Sequence, residues 1–125
     1  MIAHTMIAVS DYAAAKEFYS KALASIGYKL AMDLAEYEVV GFMEGGQTSF
    51  WIARKDNPQP NHIAFLAKNK GEVEAFHKAA LDAGGKDNGA PGYRKEYSAG
   101  YYAAFIHDAD GNNVEAVWYD PAPNA

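Results

Sequence analysis

Two histidines and one glutamate are the residues best suited to chemistry in this chain. His4 and His62 each stand near the start of a β-prone run, and Glu115 lies inside the apolar run 114–118. An ionised carboxylate in such a run is costly unless a cation, a metal ion or a polar cavity meets it. Two imidazoles and one carboxylate leave coordination positions open on a divalent Fe, Mn, Ni or Zn ion. The residue types therefore predict a metal site formed by His4, His62 and Glu115.

A simpler interpretation stands beside this one. Glu115 could be a solvated carboxylate on the wet face of an edge strand, with the two histidines as ordinary core or surface residues. Further side chains could line an apolar pocket for a small molecule, although most could equally belong to the core. The pocket candidates are Trp51, Phe42, Tyr93, Arg94, Tyr101, Phe105 and His107. Arg94 could hold a substrate anion or be a solvated loop charge.

An internal repeat would position these residues. A shift of 58 positions lays the second half of the chain over the first and places His4 on His62 and Phe18 on Phe76. Each half then contains one apolar stripe at helical spacing. The stripes consist of Ala15, Phe18, Tyr19, Ala22, Leu23 and Ile26 in the first half, and Val73, Phe76, Ala80 and Leu81 in the second. The apolar stripe in each half therefore predicts one amphipathic helix.

Strand-like runs surround both helices. They cover residues 3–9, 28–32, 37–43 and 48–53, then 62–67, 101–107 and 113–119, with a weak strand near 86–88 followed by a long loop. Each half thus reads as βαβββ, and the fold class is α+β. A proline-containing linker at 57–61 joins modules 1–57 and 61–125 within a single domain, 1–125. Strand alternation places both histidines on the side of the sheet away from the helices.

Composition excludes several classes of partner. Eleven Lys and Arg against sixteen Asp and Glu give a net charge of −5, so a nucleic-acid partner is not expected. The apolar runs are far shorter than the roughly 20 residues of a membrane span. The chain contains no cysteine, which excludes disulfides and thiolate zinc sites and favours a reducing, cytoplasmic location.

The chain resembles the vicinal oxygen chelate superfamily, which includes glyoxalase I, bleomycin-resistance proteins, extradiol dioxygenases and fosfomycin-resistance thiol transferases. The likeness rests on the opening strand 2–9, the helix segment 15–19 and the strand start 61–65. It rests above all on residues 108–115, which read Asp-Ala-Asp-Gly-Asn-Asn-Val-Glu. That run is similar to the Asp-Pro-Asp-Gly-Asn-x-Ile-Glu ending of many members, with Ala109 in place of the proline.

The resemblance implies two βαβββ modules whose mixed sheets curl into a cup with the helices outside. Carried over position by position, it makes His4, His62 and Glu115 metal ligands and gives Glu115 the catalytic role. A fourth ligand place falls near Trp51, where no ligand is available. Glyoxalase I has a carboxylate there, whereas the extradiol dioxygenases and the thiol transferases keep two histidines and one glutamate.

The functional prediction is a glyoxalase- or dioxygenase-like enzyme, a lyase, dioxygenase or transferase. Its small-molecule substrate would present two adjacent oxygens to a divalent metal ion. The alternative is a metal-free protein that sequesters a drug-like molecule, as the bleomycin-resistance members do. The resemblance also implies a homodimer, with sites formed within one chain or between two.

Overall fold

The structure, a computed structural model, describes residues 1–124 and contains one βαβββ unit followed by a second. The first module consists of β1 (Thr5–Val9), α1 (Tyr12–Ala24), β2 (Lys29–Leu34), β3 (Val39–Glu44) and β4 (Gln47–Arg54). The second consists of β5 (His62–Leu66), α2 (Lys70–Asp82), β6 (Lys86–Tyr93), β7 (Tyr101–His107) and β8 (Asn113–Tyr119). A short 3-10 turn at Ala35–Tyr37 separates β2 from β3. The predicted α+β class and the order of elements in each module are confirmed.

Each helix begins at a side chain that caps its first turn. Asp11 accepts a hydrogen bond from the Ala14 backbone N–H at 3.0 Å, and Asn69 accepts one from the Glu72 N–H at 2.8 Å. Such caps satisfy donors that the first helical turn leaves without a partner. Just beyond α1, Gly27 has a φ of +88°, a conformation that glycine adopts without steric cost.

The two sheets have the same strand order. The first runs β1-β4-β3-β2 and the second β5-β8-β7-β6, with the outer pairs β1–β4 and β5–β8 parallel and the other pairs antiparallel. One edge of β1 and one edge of β5 therefore lack a hydrogen-bonded neighbour within the described chain. The sheets are open, not closed into a barrel.

Both helices cover the same side of the sheets, and the side chains beneath them form one core. Phe50 of β4 packs edge-on against Phe65 of β5 with ring centroids 4.9 Å apart, and Tyr28 contacts Phe65 at 5.3 Å. The two modules thus share their buried apolar surface, which is the main source of stability in a domain of this size. Over residues 1–124, neither helix has the length and apolar character needed to cross a lipid bilayer.

The turn before β8 connects the modules through a buried carboxylate. Asp108, 7% exposed, accepts hydrogen bonds from the Tyr19 hydroxyl at 2.6 Å and from the Asn112 side-chain amide at 2.8 Å. Asp110 accepts the Ser10 backbone N–H at 3.0 Å. Asn112 also accepts the Asn61 N–H at 2.7 Å. The motif that carries the family resemblance therefore holds module two against the first helix and the linker.

Strand β6 differs most from the sequence expectation. It extends to Tyr93, whereas the sequence predicts a weak strand at 86–88 followed by a loop. Its pairing with β7 shifts register between Asp87 and Gly89 and again between Gly89 and Gly92. These irregularities admit glycine and proline, which are unfavourable in a regular strand and conceal it from pattern analysis.

Candidate functional site

Glu115 is a buried carboxylate on the face of the second sheet that points away from the helices. Its side chain is 1% exposed, and its Oε1 lies 2.7 Å from His62 Nε2. Its Oε2 accepts a hydrogen bond from the Tyr101 hydroxyl. The imidazole of His62 is 55% exposed, so the pair can be reached from the open side of the sheet. The structure thus brings together three residues that the sequence proposed for the site.

Tyr101 reaches Glu115 along the sheet. In the β7–β8 pairing Tyr101 faces Tyr119 and Phe105 faces Glu115, so the phenol must extend over the intervening Ala103 and Val117. These two small residues are 0% and 3% exposed. Burial, followed by the hydrogen bond to Glu115 and its negative charge, raises the pKa of Tyr101 well above its usual value. The phenol therefore remains a hydrogen-bond donor throughout the physiological pH range.

Glu115 belongs to a row of residues that pair with one another across the four strands of the second sheet. Ala64 of β5, Glu115 of β8, Phe105 of β7 and Gly89 of β6 are successive partners across the sheet. The Phe105 ring centroid lies 6.3 Å from that of His62. On its other side, the guanidinium carbon of Arg94 lies 5.3 Å from the Phe105 ring centroid. An acidic, an apolar and a basic group thus follow one another on the open face.

The equivalent row of the first sheet has no carboxylate. There Met6, Trp51, Gly41 and Met32 are the successive partners, so Trp51 takes the place of Glu115 and Gly41 that of Phe105. A Cβ on Gly41 would lie 2.8 Å from the Trp51 ring, so the indole covers the glycine closely. The fourth ligand place expected near Trp51 is therefore filled by an aromatic ring. Trp51 itself is half-buried on the open face.

His4 stands apart from the other proposed ligands. It precedes β1, is exposed, and lines a groove with Ser49, Ile63 and Ala64, while His62 lines an adjoining groove between β1 and β5. Over the described part of the chain, no group of three or more His, Cys, Asp or Glu side chains is placed to hold one metal ion. One chain thus supplies two close donors, His62 and Glu115, and the complete three-ligand set stays a prediction.

Two pocket candidates lie on the opposite side of their sheets. Phe42 is fully buried in the core, because it pairs with Phe50, which faces the helices. Tyr93 pairs with Tyr102 and packs against its ring at 5.0 Å, and its hydroxyl donates to Asp120. These placements favour the core interpretation of both aromatic rings over the pocket interpretation. The sequence shows the strands but does not fix which alternate residues face the helices.

His107 does lie on the open side of the second sheet. It has the same strand alternation as Phe105 and pairs with Asn113, whose other cross-strand partner is His62. Its side chain is half-buried and makes no hydrogen bond to any residue among positions 1–124. His107 is therefore next to the His62–Glu115 pair along the sheet without belonging to it.

Three glycines that the sequence pattern does not single out shape the site. Gly41 makes room for the Trp51 indole, and Gly89 and Gly92 make room for the Arg94 guanidinium. A Cβ would lie 3.1 Å from Arg94 Nη2 at Gly89 and 3.1 Å from Nη1 at Gly92. The available signal was two glycines closely preceding an arginine, which is the pattern expected where a side chain folds back onto its own backbone.

Comparison with known proteins identifies the family. A family profile described as the glyoxalase/bleomycin resistance protein/dioxygenase superfamily matches residues 1–116. A glyoxalase/bleomycin resistance protein from Albidiferax ferrireducens T118 is 23% identical, with a TM-score of 0.79 over 93% of this chain and 96% of that one. A lactoylglutathione lyase from Agrobacterium tumefaciens is 22% identical, with a TM-score of 0.69 over 94% and 92% of the two chains.

A family enzyme from Burkholderia phytofirmans PsJN is 15% identical and has a TM-score of 0.70 over 94% of this chain and 98% of that one. No curated protein sequence matches this chain. At such low identities the structural likeness establishes the fold alone. The family assignment rests on the profile match, which covers nearly the whole sequence. The repeated βαβββ module and this match together show that the chain belongs to the glyoxalase/bleomycin resistance protein/dioxygenase superfamily.

Proposed function

We propose that this chain is a glyoxalase- or dioxygenase-like enzyme, which acts on a small molecule whose two adjacent oxygens chelate a divalent metal ion. His62 and Glu115 are the first two proposed ligands, and His4 is the third. The observation that carries the proposal is the buried Glu115 carboxylate 2.7 Å from His62 Nε2 on an accessible face. Buried ionisable groups in such positions are strong candidates for functional sites.

The donor chemistry of this pair fits a divalent ion. An imidazole nitrogen and a carboxylate oxygen already converge, and Fe, Mn, Ni and Zn all accept this combination. Ligand type alone does not choose among them. The cross-strand partners of Glu115, Ala64 and Phe105, carry no charge, so a cation would offset the buried carboxylate beside His62. When bound, a divalent ion would polarise the substrate oxygens and lower the cost of developing negative charge.

The remaining roles in the proposed reaction belong to side chains of the protein. Glu115 is proposed as the base that accepts a proton from the substrate, as the only buried carboxylate on this open face among residues 1–124. Tyr101 holds Oε2 in place by donating its hydroxyl hydrogen. Phe105 covers the floor beside the pair and limits the access of water. Substrate would enter from the side on which the His62 ring is exposed.

A site shared between two chains would supply the third ligand. Neither β1 nor β5 has a second strand partner in the described chain, and the exposed Met6 and Leu66 lie on these strands. Unpaired strand edges with exposed apolar side chains favour association with another strand. We propose a homodimer in which His4 of one copy approaches His62 and Glu115 of the other.

Metal binding tests the proposed ligands. Full-length protein is loaded with Mn²⁺, Ni²⁺, Zn²⁺ or anaerobic Fe²⁺, and bound metal and Tm are measured for wild type, His4→Ala, His62→Ala and Glu115→Gln. His77→Ala is the matched control, since its imidazole contacts Asp87 on the helix side. We expect one ion per wild-type chain and loss of the metal-dependent Tm rise in the three ligand variants alone. Absence of stoichiometric metal in wild type would overturn the proposal.

Mixing two variants tests where the ligands come from. Solution mass first establishes the dimer, and His4→Ala and Glu115→Ala chains are then unfolded, mixed and refolded together. If the site is shared, each mixed dimer regains one intact site, because its remaining His4 meets the remaining Glu115. If every ligand belongs to one chain, mixing restores no binding.

One observation favours the metal-free alternative. Both Glu115 oxygens have hydrogen-bond partners within the protein, His62 at Oε1 and Tyr101 at Oε2, and Trp51 presents a flat indole on the open face of the first sheet. A binding protein that stacks an aromatic ligand on Trp51 would use these features. Ligand-dependent quenching of Trp51 fluorescence in metal-free protein, unchanged in Glu115→Gln, would favour this function over the enzyme.

A further inference from the structure

Arg94 is held in a fixed orientation on the open side of the second sheet. Its Nη1 donates to the Gly92 carbonyl at 2.9 Å, and its Nη2 donates to the Ala90 carbonyl at 2.7 Å. Its backbone N–H donates to the Tyr101 carbonyl at 2.7 Å. The side chain therefore folds back over β6, and the guanidinium plane is fixed before any ligand arrives.

The register shifts of β6 create the space for this arrangement. At Gly89 a Cβ would lie 2.9 Å from the Phe105 ring and 3.1 Å from Arg94 Nη2, and φ is +156°. At Gly92 a Cβ would lie 3.1 Å from Nη1. Any larger side chain at either position would displace the guanidinium or the ring. The glycines thus serve the placement of Arg94 rather than the stability of the strand.

The charge of Arg94 has no carboxylate partner. No Asp or Glu oxygen lies within 4.0 Å of its guanidinium among positions 1–124. Several other Lys and Arg side chains of the described residues do form ion pairs with Asp or Glu. The two carbonyl bonds use two of the five guanidinium N–H donors, so three remain for a ligand. A preorganised guanidinium with free donors recognises planar oxyanions well.

The position of Arg94 relative to the His62–Glu115 pair limits the size of such a ligand. Glu115, Phe105 and Gly89 are neighbours on three consecutive strands, and Arg94 lies over Gly89. At roughly 4.8 Å per strand, the guanidinium is about 10 Å from the carboxylate. The Phe105 ring lies between them and offers an apolar surface.

We infer that Arg94 selects an organic carboxylate whose apolar body lies on Phe105 and whose far end reaches the His62–Glu115 pair. This inference rests on the proposed function for the reaction at that pair and names its substrate class. The carboxylate replaces water at the free guanidinium donors, and the ring beneath excludes water from the other face of the guanidinium. A neutral analogue of the same shape would leave these donors without an anion.

Binding of a matched pair of probes tests this inference. Affinities for 3-phenylpropanoate and the neutral 3-phenylpropanamide are measured on the full chain by titration calorimetry or ligand-observed NMR. We expect wild type to prefer the carboxylate by at least about tenfold, as a charge-assisted bidentate contact provides. Arg94→Met should abolish the preference, and Arg94→Lys should retain part of it. Gly92→Ala, which keeps the charge but displaces Nη1, should weaken carboxylate binding several-fold.

Lys95→Met is the matched control. This exposed neighbour carries the same charge and makes no ion pair among residues 1–124, so its loss should leave the preference intact. Circular dichroism checks that each variant is folded. Equal affinities of wild type for the two probes, no binding of either, or an equal loss in Lys95→Met would overturn the inference.

The measurement separates this inference from the proposed function. Probe binding is measured in excess EDTA, and metal binding is measured without probe. A chain that prefers the carboxylate but binds no metal would retain the inference and lose the enzyme proposal. A chain that binds metal through His62 but has equal affinity for the two probes would retain the enzyme proposal and lose the inference.

Discussion

Replacing Asp108 by alanine should be among the most destabilising single changes in this protein. Its carboxylate accepts four hydrogen bonds: from the backbone N–H groups of Asp110 and Asn112 at 3.0 and 2.8 Å, and from the Tyr19 hydroxyl and Asn112 amide at 2.6 and 2.8 Å. Tyr19 and Asn112 are both 0% exposed, so their donors cannot turn to bulk water. At about 1–2 kcal/mol for each stranded buried donor, we expect a loss of about 3–5 kcal/mol.

Urea unfolding followed by circular dichroism measures this loss through the transition midpoint at an unchanged slope. Asp110→Ala is the matched control, since that carboxylate accepts the exposed Ser10 N–H, and it should cost under about 1 kcal/mol. Tyr19→Phe removes one stranded donor, so the double variant with Asp108→Ala should cost about 1–2 kcal/mol less than the two single changes added together. Equal losses for the two aspartates, or strict additivity in the cycle, would refute the reasoning.

Three further outcomes follow from other contacts. Tyr101→Phe removes one of the two donors to buried Glu115 and should lower the free energy of unfolding by about 1–3 kcal/mol, measured in urea. Gly41→Ala should displace Trp51, changing its fluorescence and costing about 1–3 kcal/mol. Burial, with the charge of Asp108, raises the pKa of Tyr19 well above the unfolded value near 10. Stability should therefore fall above about pH 10, by up to about 1.4 kcal/mol per pH unit from Tyr19, as urea midpoints at rising pH would show.

Each of these outcomes has a matched comparison. Tyr97→Phe removes an exposed hydroxyl that has no hydrogen bond to residues 1–124, and should be nearly neutral where Tyr101→Phe is not. Gly46→Ala places its Cβ in open space and should leave tryptophan fluorescence unchanged. Tyr19→Phe should reduce the alkaline loss, and an unchanged pH dependence in that variant would contradict the assignment to Tyr19.

Local chemistry explains what the sequence could predict. The apolar stripes around Tyr19 and Phe76 depend on residue spacing within a single helix, and both predicted helices are confirmed. The approach of His62 to Glu115 follows from strand alternation and parallel pairing, because residues on one face of neighbouring strands are brought close together. These features need little knowledge of distant contacts.

The remaining features depend on strand register and on how far a side chain extends. The pattern of apolar and polar residues determines neither. Phe42 occupies the core because it pairs with Phe50 on the face of the sheet that the helices cover. The contact of Tyr101 with Glu115 requires a side chain to extend over the intervening Ala103–Val117 pair. The continuation of β6 to Tyr93 depends on register shifts that only pairing with β7 stabilises.

The equivalent rows of the two sheets place their large and small side chains at opposite positions. This difference affects how the duplicated unit could be re-engineered. One sheet pairs a large Trp51 with Gly41, and the other pairs a smaller Glu115 with Phe105, so each row keeps a similar total volume. Introducing glutamate at position 51 alone would leave part of the indole volume above the glycine unfilled. Rebuilding a carboxylate in the first repeat therefore requires a second, simultaneous enlargement at position 41. Positions 41 and 51 therefore form one packing unit in this structure, and a design that changes one has to adjust the other.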